Sequence, residues 1–335
     1  MSASLQRAPL NSEQVTAIAH ECGFELAGIA AAVPPDDYAR FDSWRSAGHA
    51  AEMAYLTDRR GDVRSDPHHL MASARSILCV GKLYNTSAPY SIAFFNTTAR
   101  NAHGWVSRYA WGDDYHDVMR TQLERVVNRL REESPHPFES RICIDTAPLL
   151  ERTYARSAGL GWIGRNTCLI NQQSGSWFFL GEILLSLDLS PGTPPPDRCG
   201  TCTRCIEACP TAALVPTSEN GTFTLDAARC ISYLTIEKRG AFTDAEREAL
   251  GEHLFGCDIC QDVCPWNTKA PVTTDSAFDA RHYAPPLASL VALSDDDFRC
   301  LFRTSPLRRT KHAGLARNVA AVTANQTRTA EAPGD

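Results

Sequence analysis

Eight of the chain's 13 cysteines fall between residues 199 and 264, and their spacing is the feature of the sequence with the most specific chemistry. Cys199, Cys202, Cys205 and Cys209-Pro210 follow C-x2-C-x2-C-x3-C-P; Cys257, Cys260 and Cys264-Pro265 form a second run, and Cys230 stands between the two. Two-residue gaps let the sulfurs of one loop converge on one face of an iron-sulfur cube, and the cysteine before proline in such a run ligates the other cluster. The spacing therefore assigns Cys199, Cys202, Cys205 and Cys264 to one 4Fe-4S cluster, and Cys209, Cys230, Cys257 and Cys260 to a second. A structural zinc ribbon also uses C-x2-C pairs, but it gives no reason for two Cys-Pro endings. This stretch passes single electrons, so the rest of the chain must hold what receives them.

Three further constellations could do chemistry. Asp145 stands where a strand gives way to Thr146-Ala147-Pro148 and a helix, a place for an N-cap or for a general acid. Gly159-Leu-Gly161-Trp-Ile-Gly164 matches G-x-G-x-x-G, but a helix precedes it and a polar turn follows, which excludes the dinucleotide fingerprint. Those glycines point instead to a backbone that a flat or bulky ligand approaches closely, or to a plain turn. Arg299, Arg303, Arg308, Arg309, Lys311, Arg317 and Arg328 share a segment without an acid between Phe298 and Thr329, either a solvated helix face or a phosphate-backbone footprint. The histidines show no metal spacing, and neither a Walker loop nor the radical C-x3-C-x2-C signature occurs. Cys22, Cys79, Cys143, Cys168 and Cys300 read as small buried hydrophobes.

The elements that must position these residues follow from periodicity. Helices are expected over 12–22, capped by Ser12 and stopped by Gly23, over 36–47, 50–59 and 149–158, and most clearly over 113–133, where Val118, Leu123, Val126, Val127 and Leu130 make one apolar face. Strands are expected over 24–31, 76–84, 141–145 and 177–189, the second covered on both faces. Residues 85–104 read as a loop, and 190–198, with four prolines, as a stiff linker. Alternating strands and helices imply a layered α+β or α/β domain over 1–190, followed by a ferredoxin-like two-cluster domain over 191–270. Helical segments over 294–303 and 307–324 make a region spanning 271–326, and residues 327–335 read as a disordered tail.

Composition sets the outer bounds. With 43% hydrophobic residues the chain can bury a substantial core, and a net charge of −6 argues against coating nucleic acid wholesale while leaving room for a local basic patch. Thiolate clusters need a reducing compartment, Met1 to Gln14 has no apolar core, and the run Trp177 to Leu189 is interrupted by Glu182 and Asp188, so a cytoplasmic protein without a membrane span is expected.

Several blocks, in order along nearly the whole chain, resemble the epoxyqueuosine reductase family. They are Asp145-Thr-Ala-Pro-Leu-Leu-Glu-Arg152, Ala158-Gly-Leu-Gly-Trp-Ile-Gly-Arg-Asn-Thr167 and Gly175-Ser-Trp-Phe-Phe-Leu-Gly-Glu182. Ser107-Arg-Tyr-Ala-Trp-Gly-Asp-Asp-Tyr-His116, Cys230-Ile-Ser-Tyr-Leu-Thr235 and Gly256-Cys-Asp-Ile-Cys-Gln-Asp-Val-Cys-Pro-Trp266 continue the series. The resemblance implies an oxidoreductase that uses cobalamin and two 4Fe-4S clusters to reduce epoxyqueuosine at the wobble position of tRNA to queuosine, the last step of that pathway. It implies that residues 1–190 bind cobalamin, with Arg64, Ser107, Asp145, Leu169, Leu180, Ser232, Cys257 and Asp258 lining it, and that Asp145 donates the proton while cob(I)alamin attacks the epoxide. Lys238, Arg239, Arg308, Arg309, Lys311 and Arg317 would touch tRNA, the last four from short HEAT-like C-terminal helices. An external donor of flavodoxin, ferredoxin or reductase type and a monomeric chain complete the expectation. Ser107 replaces a cysteine of some relatives, and the chain ends before the helical-repeat extension that others carry. A reductive dehalogenase, or an electron carrier whose first domain only docks a partner, would share the clusters but leave the basic segment without a role.

Overall fold

A computed structural model of the chain describes residues 8–219 and 221–331. Its first half is built on one four-stranded sheet. Helix α1 (Ser12–Glu21) leads into strand β1 (Leu26–Ala31), then β2 (Ser76–Leu83), the long helix α2 (Tyr115–Glu133), β3 (Ser140–Cys143), α3 (Glu151–Ser157) and β4 (Phe178–Leu185). The sheet order is β1-β2-β4-β3 and every neighbouring pair is antiparallel. The first domain is therefore α+β, and the α/β alternative falls: alternation of elements along the chain does not set strand direction, because these strands pair across long connections.

Side-chain alternation divides the core between the two faces. Leu78, Val80, Phe179, Ile183 and Leu185 face α1 and α2 in one cluster, while Ile77, Cys79, Cys143 and Leu184 face Tyr154 and Ala155 of α3 in another. The expected apolar face of α2 buries Met119, Leu123, Val126, Val127 and Leu130. At ~1.5–3 kcal/mol per fully buried apolar side chain, that face alone contributes on the order of 10 kcal/mol before entropy is counted. β2 is buried at every position, as a doubly covered strand must be.

Local chemistry adjusts several expectations. Asn11, not Ser12, caps α1, because its side chain accepts from Gln14 N while Gln14 reciprocates. The expected loop 85–104 contains a short helix, Ser91–Phe94, held by Asp262, whose carboxylate accepts from Ser91 N at 2.8 Å. Cys300 is exposed rather than buried. The last helix, α4 (Lys311–Glu331), runs through residues 327–331 that were expected as tail, and residues 332–335 lie outside the described residues. Gln326 anchors that end by donating to the carbonyls of Arg100 and His103 at 3.0 and 2.8 Å.

The boundary expected near residue 271 is not a boundary in packing. Trp105, Val106 and Trp111, Ile231, Leu254 and Phe255, and Leu287, Phe298, Leu315 and Val319 form one apolar cluster. Within it Asn318 of α4, fully buried, donates to Thr235 O at 2.7 Å and Leu254 O at 2.8 Å. The C-terminal helices are thus welded to the cysteine-rich region rather than stacked as separate HEAT-like pairs. Among the described residues no helix is long and apolar enough to cross a membrane.

Candidate functional site

The cysteines gather into two groups. Cys199, Cys202, Cys205 and Cys264 line one cavity of about 330 Å³, joined by Arg165, Asn166, Arg198, Arg204 and Trp266. Trp162 Nε1 is buried, and the Cys199 sulfur is what it faces. Burial lifts the Cys199 thiol, and the Arg165 amide and the Trp162 indole draw it part of the way back. Burial, then the neighbouring thiols, push Cys205 up to about 12 and Cys264 up to about 11. In the other group burial raises Cys230 and raises Cys257 well above the thiol range; both also feel Cys209, and amides of the following residues oppose the rise. Cys260 is raised in the same way and feels Cys257 and Cys230. Thiols crowded like this stay protonated unless a cation offsets their charge, so both groups suit iron held by deprotonated sulfur. Among the described residues no three His, Cys, Asp or Glu side chains close around a single ion, the arrangement a zinc ribbon needs.

Asp145 sits two residues past β3 with φ +47°, a left-handed backbone that Asp tolerates better than most residues. Glu151, at the start of α3, accepts from Asp145 N at 2.7 Å and holds the turn. Asp145 is therefore not the N-cap of α3; Leu150 occupies that position without a side-chain cap. Asp145 Oδ2 lies 3.2 Å from His116 Nε2, and His116 Nδ1 lies 2.7 Å from Asp114 Oδ1. Asp114 also caps α2 and is only 5% exposed.

These contacts fix the charges. Burial pulls His116 down, but hydrogen bonds to Asp114 and Asp145 outweigh it and raise the imidazole to about 9. Burial works to raise the Asp145 carboxyl, and His116, Arg309 and Tyr115 reverse this and hold it below the usual carboxylate range. At neutral pH the site is an ion triad with its proton on the histidine. Sequence reasoning missed His116 and Asp114, although the Asp-x-His spacing at a helix start was visible.

Half of the Asp145 side chain is open to solvent, and burial of the rest works to raise its carboxyl. Tyr109, which feels Asp145, Glu237, Asp258 and Arg309 together, lies between the Asp145 turn and the Cys257 loop. Of the other expected contacts, Arg64 is buried, donates to Tyr55 O and Arg60 O, and feels the charge of Glu151. Leu169 and Leu180 pack in the core on the α3 side of the sheet. Ser232 hydrogen-bonds to the Cys230 sulfur and partly offsets the rise that burial causes. Ser107 Oγ donates to Asp258, which also accepts from Arg108 N at 2.7 Å and Trp105 Nε1 at 3.3 Å, so the Asp258 carboxylate is engaged within the chain. The glycine turn takes a different role from the expected ligand approach. Gly159, at φ +89°, ends α3, a Cβ on Gly161 would collide with Ile170 O, and one on Gly164 would come within 2.5 Å of Ile170 Cδ1. Packing of the Trp162–Ile163 and Leu169–Ile170 hairpin accounts for the last two.

The basic segment divides. Arg317 is committed to the fold: its guanidinium donates to the carbonyls of Leu234, Lys238 and Gly240 and stacks 4.0 Å over Phe242. Lys238 pairs with Glu246 at 2.9 Å, Arg309 with Glu237 at 2.9 Å, and Arg308 with Asp114 at 2.8 Å. Arg239 is exposed. Arg303, Arg308, Lys311 and His312 line a second cavity of about 330 Å³ beside Phe298 and Phe302.

Comparison with known proteins adds the following. Residues 198–267 match the family model of 4Fe-4S double cluster binding domains, and residues 64–146 that of epoxyqueuosine reductase QueG. The epoxyqueuosine reductase of Xanthomonas campestris is 41% identical over 92% of this chain and 84% of its own length. That of Escherichia coli is 36% identical over 91% and 78%. A solved epoxyqueuosine reductase, crystallised with an epoxyqueuosine-modified tRNA-Tyr stem loop, matches with a TM-score of 0.82 at 29% identity, over 94% of this chain and 81% of the other.

Proposed function

The chain belongs to the epoxyqueuosine reductase family of oxidoreductases and carries its 4Fe-4S double-cluster domain, and from this we propose that it reduces epoxyqueuosine in a tRNA anticodon loop to queuosine with cobalamin as second cofactor. The observation that carries the reading is the half-exposed Asp145 carboxylate, paired with His116 and through it with Asp114. Residues 1–190 would hold the corrin, 191–270 the clusters, and 271–326 part of the RNA surface. Cys199, Cys202, Cys205 and Cys264 would hold one cluster and Cys209, Cys230, Cys257 and Cys260 the other, in keeping with the four-thiol cavity and the buried Trp162 indole that faces Cys199. Arg64, Leu169, Leu180, Ser232 and the backbone around Ser107, Cys257 and Asp258 would line the corrin. Both ring nitrogens of His116 are engaged within the chain, which reserves that side chain for proton handling beside the corrin that these residues would hold. When bound, the clusters supply single electrons and the corrin a strongly reducing, nucleophilic metal.

The remaining chemistry is the chain's own. Asp145 enters as a carboxylate, so the proton required of a general acid is held by His116 and reaches the opening epoxide oxygen through Asp145. Asp114 keeps the imidazole charged and oriented. Arg239, Arg303, Arg308 and Lys311 present cations to the phosphates, while Lys238, Arg309 and Arg317 serve chiefly as internal partners. A nucleotide in an anticodon loop is already single-stranded, so seating it costs little unstacking. The external electron donor, monomeric state and cytoplasmic location belong to the same reading. Mass analysis of tRNA from a strain lacking the gene tests it: epoxyqueuosine accumulates and the chain restores queuosine, whereas finished queuosine in the deletion strain refutes the assignment.

A further inference from the structure

The turn that presents Asp145 stands over two carboxyls that have no part in the triad. Glu182 lies in the middle of β4, 0% exposed, in register with Cys79 of β2 on one side and Cys143 of β3 on the other. Among the described residues neither of its oxygens receives a hydrogen bond from an N–H or a hydroxyl. The polar group facing it is a second carboxyl, Glu151, which accepts from Asp145 N at 2.7 Å. Around the two are the Cys79 and Cys143 thiols, the Tyr115 phenol, Asp145, and the Arg64 and Arg152 guanidiniums. Two ionised carboxylates can only accept, so neither satisfies the other, and an unpaired charge in the sheet interior is heavily penalised. A single proton between them removes both difficulties. Burial, then the negative neighbours, push Glu151 up to about 7 and Glu182 well above its ordinary range.

Reduction of an epoxide to an alkene consumes two electrons and two protons: both C–O bonds break, the C=C bond forms, and the oxygen leaves as water. The His116–Asp145 contact carries one proton to the oxygen as the ring opens. Resting on the functional reading above, with both electrons supplied by the external donor through the clusters, we propose that Glu151 and Glu182 share a proton and recharge Asp145 with the second one, which lets the oxygen depart as water. Asp145 is then the single point of delivery, served by His116 from one side and by the carboxyl pair from beneath.

The test uses the cofactor-loaded chain and two readouts. Infrared titration of the native chain is expected to show the C=O stretch of a buried protonated carboxyl, weakening as pH rises through about 7, where Glu151 ionises, and missing from the double variant Glu151→Gln/Glu182→Gln, which keeps an acceptor for Asp145 N. In the same variant kcat falls roughly tenfold or more below that of the native chain at pH 6.5, the limb near pH 7 vanishes, and KM for tRNA is unchanged. Absence of the band from the native chain overturns the shared proton, and this measurement needs no variant to fold. Loss of the band with kcat and its pH profile intact overturns delivery. A native chain inert toward epoxyqueuosine tRNA sinks the functional reading and delivery with it, while the band still decides the sharing.

Discussion

Replacing Asp114 by Asn is the sharpest perturbation of the triad, because it removes a charge while keeping a shape. Asp114 caps α2 by accepting from His116 N at 3.1 Å, and Asn caps a helix equally well. What changes is the proton affinity of His116. Its rise from 6.5 to about 9 is worth about 3 kcal/mol at ~1.4 kcal/mol per unit, and the imidazole is only 29% exposed. Asp114 is 5% exposed and Asp145 50%, so the less screened Asp114 supplies the larger part. Its loss should lower His116 by roughly one and a half units, about 2 kcal/mol. The sign follows from the shift: a histidine raised by its partners carries the active proton below its folded-state value and loses it as pH rises through that value. In the native chain kcat therefore falls once near pH 7, as Glu151 ionises, and more steeply beyond pH 9. In Asp114→Asn the upper break moves to about pH 7.5, leaving the rate roughly eightfold below native at about pH 8.5 and within ~5% of it at about pH 6. Steady-state turnover of epoxyqueuosine tRNA across pH reads this directly. An unmoved upper break would remove His116 from proton delivery, and an equal loss at every pH would reduce Asp114 to a packing role.

The cluster assignment and the basic surface are separately testable. In Cys264→Ala the iron content should fall by about half, and the electron paramagnetic resonance spectrum of the reduced chain should match that of Cys202→Ala. A match to Cys260→Ala instead would overturn the crossed ligation. Arg317→Ala loses three charge-assisted hydrogen bonds to carbonyls and should destabilise the fold by about 2–4 kcal/mol while tRNA affinity of the folded chain stays unchanged. Charge reversal at Arg303 and Lys311 should do the opposite, sparing thermal stability, weakening tRNA binding and flattening its logarithmic salt dependence by roughly 0.7–0.9 for each phosphate no longer neutralised. Identical behaviour of the two variants would refute the division of the basic segment.

What could be read from the sequence was whatever local covalent or periodic constraint dictates. Cluster ligation demands fixed gaps, so the two thiol groups were visible in Cys199 to Cys264, and a helix covering a core demands the spacing of Leu123, Val126 and Leu130. Strand direction has no such local signature. The roles of individual cations were hidden for a related reason: composition counts Arg317 and Lys311 alike, but only tertiary structure reveals that Arg317 is surrounded by carbonyls from Leu234 to Gly240. The glycine turn misled because a close approach by Ile170 and one by a ligand select the same residue. Glu182 did leave a mark, as an acid interrupting an apolar strand, and such an interruption is better read as a buried titratable group than as a limit on hydrophobicity.

The antiparallel sheet also accounts for the proton chemistry being where it is. β3 is an edge strand paired with β4, and the register that sets Cys143 opposite Glu182 brings Asp145, two residues further on, out of the sheet above that carboxyl. Glu182 faces α3 because it shares the pleat of Leu184; a slip of one residue would exchange it with Ile183, send the carboxyl into the core beneath α2 and separate it from Glu151. The left-handed turn at Asp145 costs on the order of 1 kcal/mol and persists because Glu151 accepts its N–H. The residue that holds the turn is thus also the one that faces Glu182. Any change that frees Glu151 would release Asp145 from its presented position and disconnect it from the buried proton in a single step.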